Sequence, residues 1–234
     1  SSASMELAKL ANGIATWMCL VALLSFHEFA HAWTANRCGD DTARLMGRLT
    51  INPIVHIDPI GTVLIPLFLI LSPTLGIGLP FLIFGWAKPV PFNPSNLGNR
   101  TRDEILIAMA GPAMNLVLAV ILMAVCYFVG VWPEKLSDLS LAALSNIMEQ
   151  NPAAKVVFIS LILCFFNLIP VPPLDGSHVL RHVVRMSEET YLRIAGFGFV
   201  IIILLLNFTP IGFYVWRISI QTMVGISTVL GFSV

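Results

Sequence analysis

The sequence predicts an all-α membrane protein, a polytopic helical bundle of about five full spans. A re-entrant or hairpin segment at 59–87 and a short β-prone loop at 43–55 complete it. Three observations carry this reading. Of 234 residues, 57% are hydrophobic and only 11% charged, less than half the roughly 25% charge of a soluble domain. The apolar residues gather in long runs without Asp, Glu, Lys or Arg, and no alternating β pattern competes with them. In lipid every backbone polar group must be satisfied internally, so such runs are helices. The arginines, finally, concentrate in three loops. The formal net charge is +0, and no basic face offers itself to a nucleic acid. The apolar content equally excludes a disordered chain.

The first run, 10–27, leads into polar residues rather than a small-residue cleavage site, so it reads as a retained span. Ser1 to Ser4 ahead of Met5 read as appended residues, and the chain as one domain over 1–234. The run at 59–87 is longer than one span needs and has a turn sequence, Ser72-Pro73-Thr74-Leu75-Gly76, at its middle. Runs at 105–133 and 156–174 follow, joined by a polar connection at 133–152. The last two runs, 194–216 and 218–234, are divided by Arg217, which either lines a polar gap or snorkels to an interface. The four cysteines, Cys19, Cys38, Cys126 and Cys164, are widely spaced with no C-x-x-C, and three sit in apolar runs where packing is their role.

The strongest chemical signal is His27-Glu28-Phe29-Ala30-His31. Two histidines at i and i+4 lie on one helical face and can share a zinc ion, and the glutamate beside the first is placed to accept a proton from water. Ionisable groups in an apolar span cost about 2.5–3.5 kcal/mol each on insertion scales, so they mark function. The bland alternative puts them at a helix end, where polar residues are cheap. A catalytic zinc also wants a third protein ligand and an open position. The run at 156–174 closes in Asn167-Leu168-Ile169-Pro170-Val171-Pro172-Pro173-Leu174-Asp175-Gly176, and its prolines break the helix. Broken helix at membrane depth is tolerated where it lines protein or a polar cavity. Asp175, the only acid between Lys155 and Glu188, is the expected third ligand.

These two motifs, with Ala110-Gly111-Pro112-Ala113-Met114-Asn115 between them, resemble the site-2 protease family of intramembrane zinc metalloproteases. The resemblance spans residues 27 to 176. It implies His27, His31 and Asp175 as ligands of one catalytic Zn²⁺, and Glu28 as catalytic base. It implies Asn167 as a polar group that holds the substrate or its developing oxyanion. The implied reaction is hydrolysis of a peptide bond within or near a transmembrane segment of a membrane protein, usually after another protease has trimmed it. No segment is long enough for the PDZ or CBS domain that many members carry.

Parity then constrains the topology. If the ends of the first run and of 156–174 meet at one metal, they share a side of the bilayer, and 59–87 must enter and leave by one face. The charges agree. Arg37, Arg44 and Arg48 precede that segment, Lys88, Arg100 and Arg102 follow it, and Arg181, Arg185 and Arg193 follow Asp175. By the positive-inside rule all three loops are cytoplasmic. The expectation is a multi-pass protein of a bacterial or archaeal cell membrane, and the charges put its site near the cytoplasmic face.

Weaker candidates remain. The stretch around Leu49 to Ile51 is β-prone, and its edge could pair with an unwound substrate. His56 is an accessory ligand, a gate, or a loop hydrogen-bonder. Asn115 either supports the site by hydrogen bonding or packs helices with Gly111 and Ala113. His178 is a rival third ligand, though both it and His182 read more simply as helix surface. A metal or ion transporter and a non-catalytic membrane scaffold are the competing functional classes.

Overall fold

The computed structural model describes residues 2–71, 86–132, 147 and 150–231. The predicted turn at 72–76 and most of the 133–152 connection lie outside the described residues. The protein is all-helical, with no strand among the described residues. It divides into two compact units, residues 1–103 and 104–234.

In the first unit a single long helix, α1 (Ser2–Arg37), carries the His-Glu motif within its length rather than at its end. Residues Leu10–Arg37 are long and apolar enough to span a membrane. The short α2 (Thr42–Leu45) follows a turn whose Gly39 adopts a φ of 103°, a conformation open to glycine. The β-prone stretch forms no strand. Residues 46–52 are an irregular loop and Pro53–Val55 a 3₁₀ turn, capped by Asn52, whose side chain accepts from the Ile54 amide. A wide π-helical turn, Pro59–Leu64, starts on Asp58, which accepts from the Ile60 and Gly61 amides, and runs into α3 (Ile65–Leu71). After Ala87 the chain continues as an extended strap to a 3₁₀ turn at Pro94–Asn96.

The strap and the loop before α3 are hydrogen-bonded neighbours. The Lys88 amide donates to the His56 carbonyl at 2.8 Å, and Arg48 donates to the Pro89 carbonyl at 3.0 Å. One full crossing between them would separate these groups by about 30 Å of hydrocarbon. The two ends of 59–87 therefore lie together.

The next helix, α4 (Arg100–Phe128), opens on a reciprocal cap. The Asn99 side chain accepts from the Arg102 amide, and the Asp103 carboxylate accepts from the Asn99 amide, which satisfies amides that lack an intrahelical partner. By length and composition α4 is a second helix able to span a membrane. In the second unit it packs with α5 (Pro152–Asn167) and the last helix, α9 (Ile211–Val229), around Ala119, Met123, Val157, Leu161, Ile220 and Met223. Small residues at these crossings let the helices approach closely. At 16 residues, α5 rises only about 24 Å, because the prolines after Asn167 end it.

Between α5 and α9 lie α6 (Gly176–Val183), α7 (Glu188–Ala195) and α8 (Gly198–Phe208). The run at 194–216, read from sequence as one span, is broken twice. It bends by 62° between α7 and α8, where Gly196 and Phe197 interrupt it. It breaks again at Thr209 and Pro210, whose ring cannot continue a helix. Arg217, by contrast, lies inside α9 and breaks nothing. Among the described residues two helices qualify as spans, or three if the bent α7–α8 pair is one; the expected count of about five is not confirmed.

Candidate metal centre

His27, Glu28 and His31 of α1 are all buried. The helical i, i+4 spacing stacks the two imidazoles edge to face, with ring centroids 4.7 Å apart. Their Nε2 atoms are 3.0 Å apart. Two nitrogen ligands of one tetrahedral ion at about 2.0–2.1 Å would sit about 3.3 Å from each other. The pair thus fits a shared metal with little adjustment. The small side chains of Ala30, Ala32 and Ala35 are buried with them, so α1 packs closely around the motif and continues past it to Arg37. The motif lies in the C-terminal third of α1, six residues before the helix ends at Arg37.

Glu28 is tied to the strap. Its Oε2 accepts a hydrogen bond from the Val90 amide at 3.1 Å. Sequence reasoning does not find this partner; its only trace is the alternation Lys88-Pro89-Val90-Pro91.

In the second unit, Asp175 stands at the turn that opens α6. Around it the Ser177 hydroxyl donates to the Leu174 carbonyl at 2.6 Å and meets the Tyr191 hydroxyl at 2.9 Å. A Cβ on Gly176 would overlap the Leu168 carbonyl, so only glycine fits after Asp175. Asn167, the last residue of α5, turns its side-chain nitrogen onto the Leu163 carbonyl at 2.8 Å. That nitrogen carries a second hydrogen for another acceptor.

The accessory candidates resolve differently. The ring of His56 is buried, with Nε2 at 2.8 Å from the Thr50 carbonyl. This bond ties the ring to the loop at Thr50. Asn115 is fully buried in α4, and its main-chain carbonyl accepts from the Ser160 hydroxyl of α5 at 2.7 Å. His178 and His182 are not bare helix surface. His178 Nε2 meets the Tyr191 hydroxyl at 3.2 Å, and His182 Nε2 meets the Glu104 carboxylate at 2.7 Å. No motif or spacing marks Tyr191 and Glu104 as their partners.

The geometry defines a membrane-associated helix built to hold a metal, with an acid beside the ligand pair. Residues 15–207 match the model of peptidase family M50. The chain is also 38% identical over 197 residues to YwhC of Bacillus subtilis, whose name assigns it to the zinc metalloproteases; the match covers 84% of this chain and 81% of that one. Rip2 of Mycobacterium tuberculosis, named in the same class, is 32% identical over 198 residues, covering 84% of this chain and 66% of Rip2. Rip2 of Mycolicibacterium smegmatis is 28% identical, covering 82% of this chain and 65% of its own length. No solved structure gives a significant match. The chain belongs to peptidase family M50, the family of the site-2 proteases that its motifs resemble. Transport and scaffolding are not favoured by this membership.

Proposed function

We propose that the protein is an intramembrane zinc metalloprotease that hydrolyses peptide bonds within or next to membrane-spanning segments of other membrane proteins. The observation that carries the reading is the buried pair of imidazole nitrogens, 3.0 Å apart, with Glu28 beside them on the same helix. Neutral imidazole is a preferred zinc ligand, and the i, i+4 spacing of the two rings presents both to one ion. His27 and His31 hold the ion, and Asp175 is the proposed third protein ligand. When bound, Zn²⁺ supplies Lewis acidity toward the peptide carbonyl and brings the pKa of a coordinated water to about 7.

The chain's own residues do the rest. Glu28 takes the proton of the attacking water as its oxygen bonds to the peptide carbon. It then gives that proton to the nitrogen as the C–N bond breaks. Asn167 has one side-chain hydrogen on the Leu163 carbonyl and offers the other to the developing oxyanion. The substrate is a membrane-spanning protein segment, expected to arrive already trimmed by another protease. The adjacency of the two ends of 59–87 supports reading that segment as re-entrant, with the site near the cytoplasmic face where water reaches it.

The test is Glu28→Gln in purified protein with a model transmembrane substrate. The variant is expected to keep its zinc by elemental analysis and to lose cleavage by at least about 100-fold, within the range of general acid–base catalysis. Full activity would remove Glu28 as the base.

A further inference from the structure

Glu28 is held by a segment far from it in sequence. Residues 86–93 form neither helix nor strand. The composition explains the shape: Pro89 and Pro91 have fixed φ, and the residues before them, Lys88 and Val90, are pushed toward extended backbone. Proline has no N–H, so Val90 holds the one amide hydrogen in 89–91, and that hydrogen goes to Glu28 Oε2.

The strap is itself pinned on both sides of Val90. The Thr62 hydroxyl donates to the Trp86 carbonyl at 2.7 Å. The Lys88 amide donates to the His56 carbonyl at 2.8 Å. Arg48, a buried arginine, spans the Lys88 and Pro89 carbonyls at 3.4 and 3.0 Å. Downstream, the Asn93 amide donates to Asp40 at 2.8 Å. An ordinary loop would let the Val90 amide wander; here its position is fixed by bonds from four other segments of the first unit.

We propose that this strap positions the general base. The Val90 N–H engages Oε2 of Glu28 and leaves Oε1 presented for proton transfer, and Arg48 holds the Val90 amide in place. Val90 and Arg48 are positioning residues that touch neither substrate nor metal. The inference rests on the reading of Glu28 as the base and adds the device that aims it. Supporting hydrogen bonds of this kind carry about 10- to 100-fold in activity, so a loss of that size in kcat follows when the N–H is removed.

The experiment compares Val90→Pro, which removes the N–H while suiting an extended strap, with Val90→Ala, which keeps it. Each is measured as the purified full chain for zinc content and for kcat and KM on a model transmembrane substrate. Val90→Pro is expected to retain zinc and KM and to lose kcat by about 10- to 100-fold, with Val90→Ala well above it. Arg48→Met is expected to lower kcat in the same way and Arg48→Lys to restore part of it; this pair decides the matter if Val90→Pro does not fold. Wild-type kcat in Val90→Pro overturns the proposal. So does a loss in these variants that merely tracks missing zinc, with activity per bound zinc intact, since that marks a structural brace only. An active Glu28→Gln would instead overturn the underlying assignment of the base.

Discussion

A single carboxylate, Asp40, shows how much one residue organises in the first unit. It is fully buried. One oxygen accepts from the Thr42 amide, the Thr42 hydroxyl and the Asn96 side chain, and the other from the Asn93 amide. Burial pushes its pKa up, but these hydrogen bonds outweigh burial and hold it below the ordinary value of 3.8. A carboxyl lowered on folding stabilises fully above its unfolded pKa and loses that contribution as pH falls through its folded one. Asp40→Asn places an amide hydrogen against donors, at a cost of about 1.5–3 kcal/mol. Its thermal unfolding in detergent is expected at lower temperature than wild type at neutral pH, with the gap narrowing below pH 3.8. At this scale the sequence was partly legible. His27, Glu28 and His31 announce themselves because an ionisable residue in an apolar run is costly to insert and persists where it serves a site. Asp40 reads only as part of a Cys-Gly-Asp-Asp turn, because its partners Asn93 and Asn96 lie far along the chain. Residue type also says nothing of direction, as the Asn167 amide resting on its own helix illustrates.

At the scale of elements, the turn from α5 into α6 is the most demanding. A Cβ at Gly176 would meet backbone atoms of Leu168 and Ile169, which cannot shift as a flexible side chain would. Gly176→Ala is expected to cost about 1–3 kcal/mol as overpacking and to displace the neighbouring Asp175, so zinc per protein should fall. Gly225→Ala in α9 is the contrast. Nothing lies near its Cβ position, and the better helix former should hold or raise stability by up to about 1 kcal/mol. Metal analysis and thermal unfolding of the two variants check both. The helix expected from 156 begins four residues earlier, at Pro152, where Asn151 caps it ahead of the proline, and Asp58 caps the turn that begins at Pro59 in the same way. The bend at Gly196 and Phe197 was not legible, since charge-free composition looks alike in a straight helix and a bent one. The strap at 86–93 carries prolines that favour extended backbone, but its anchors on Arg48, His56, Thr62 and Asp40 lie in distant segments and leave no local pattern.

At the scale of the whole molecule, the scarcity of charge acquires a pattern. The loop holding Arg44 and Arg48 and the strap beginning at Lys88 are bonded to each other, which supports placing them on one side of the bilayer. Cysteines introduced at Arg44 and Lys88 in intact cells are expected to react with a membrane-impermeant label with the same sidedness; labelling from opposite sides would refute the re-entrant reading of 59–87. A last consequence concerns bilayer thickness. A methyl group on Gly198, the first residue of α8, would overlap the Pro172 carbonyl, so the turn leading to Asp175 has α8 as its back wall. An apolar helix tilts when the lipid around it thins or thickens. Tilt of α8 is therefore expected to press on the loop that carries the aspartate, and cleavage measured in vesicles of graded acyl-chain length is expected to peak at one thickness.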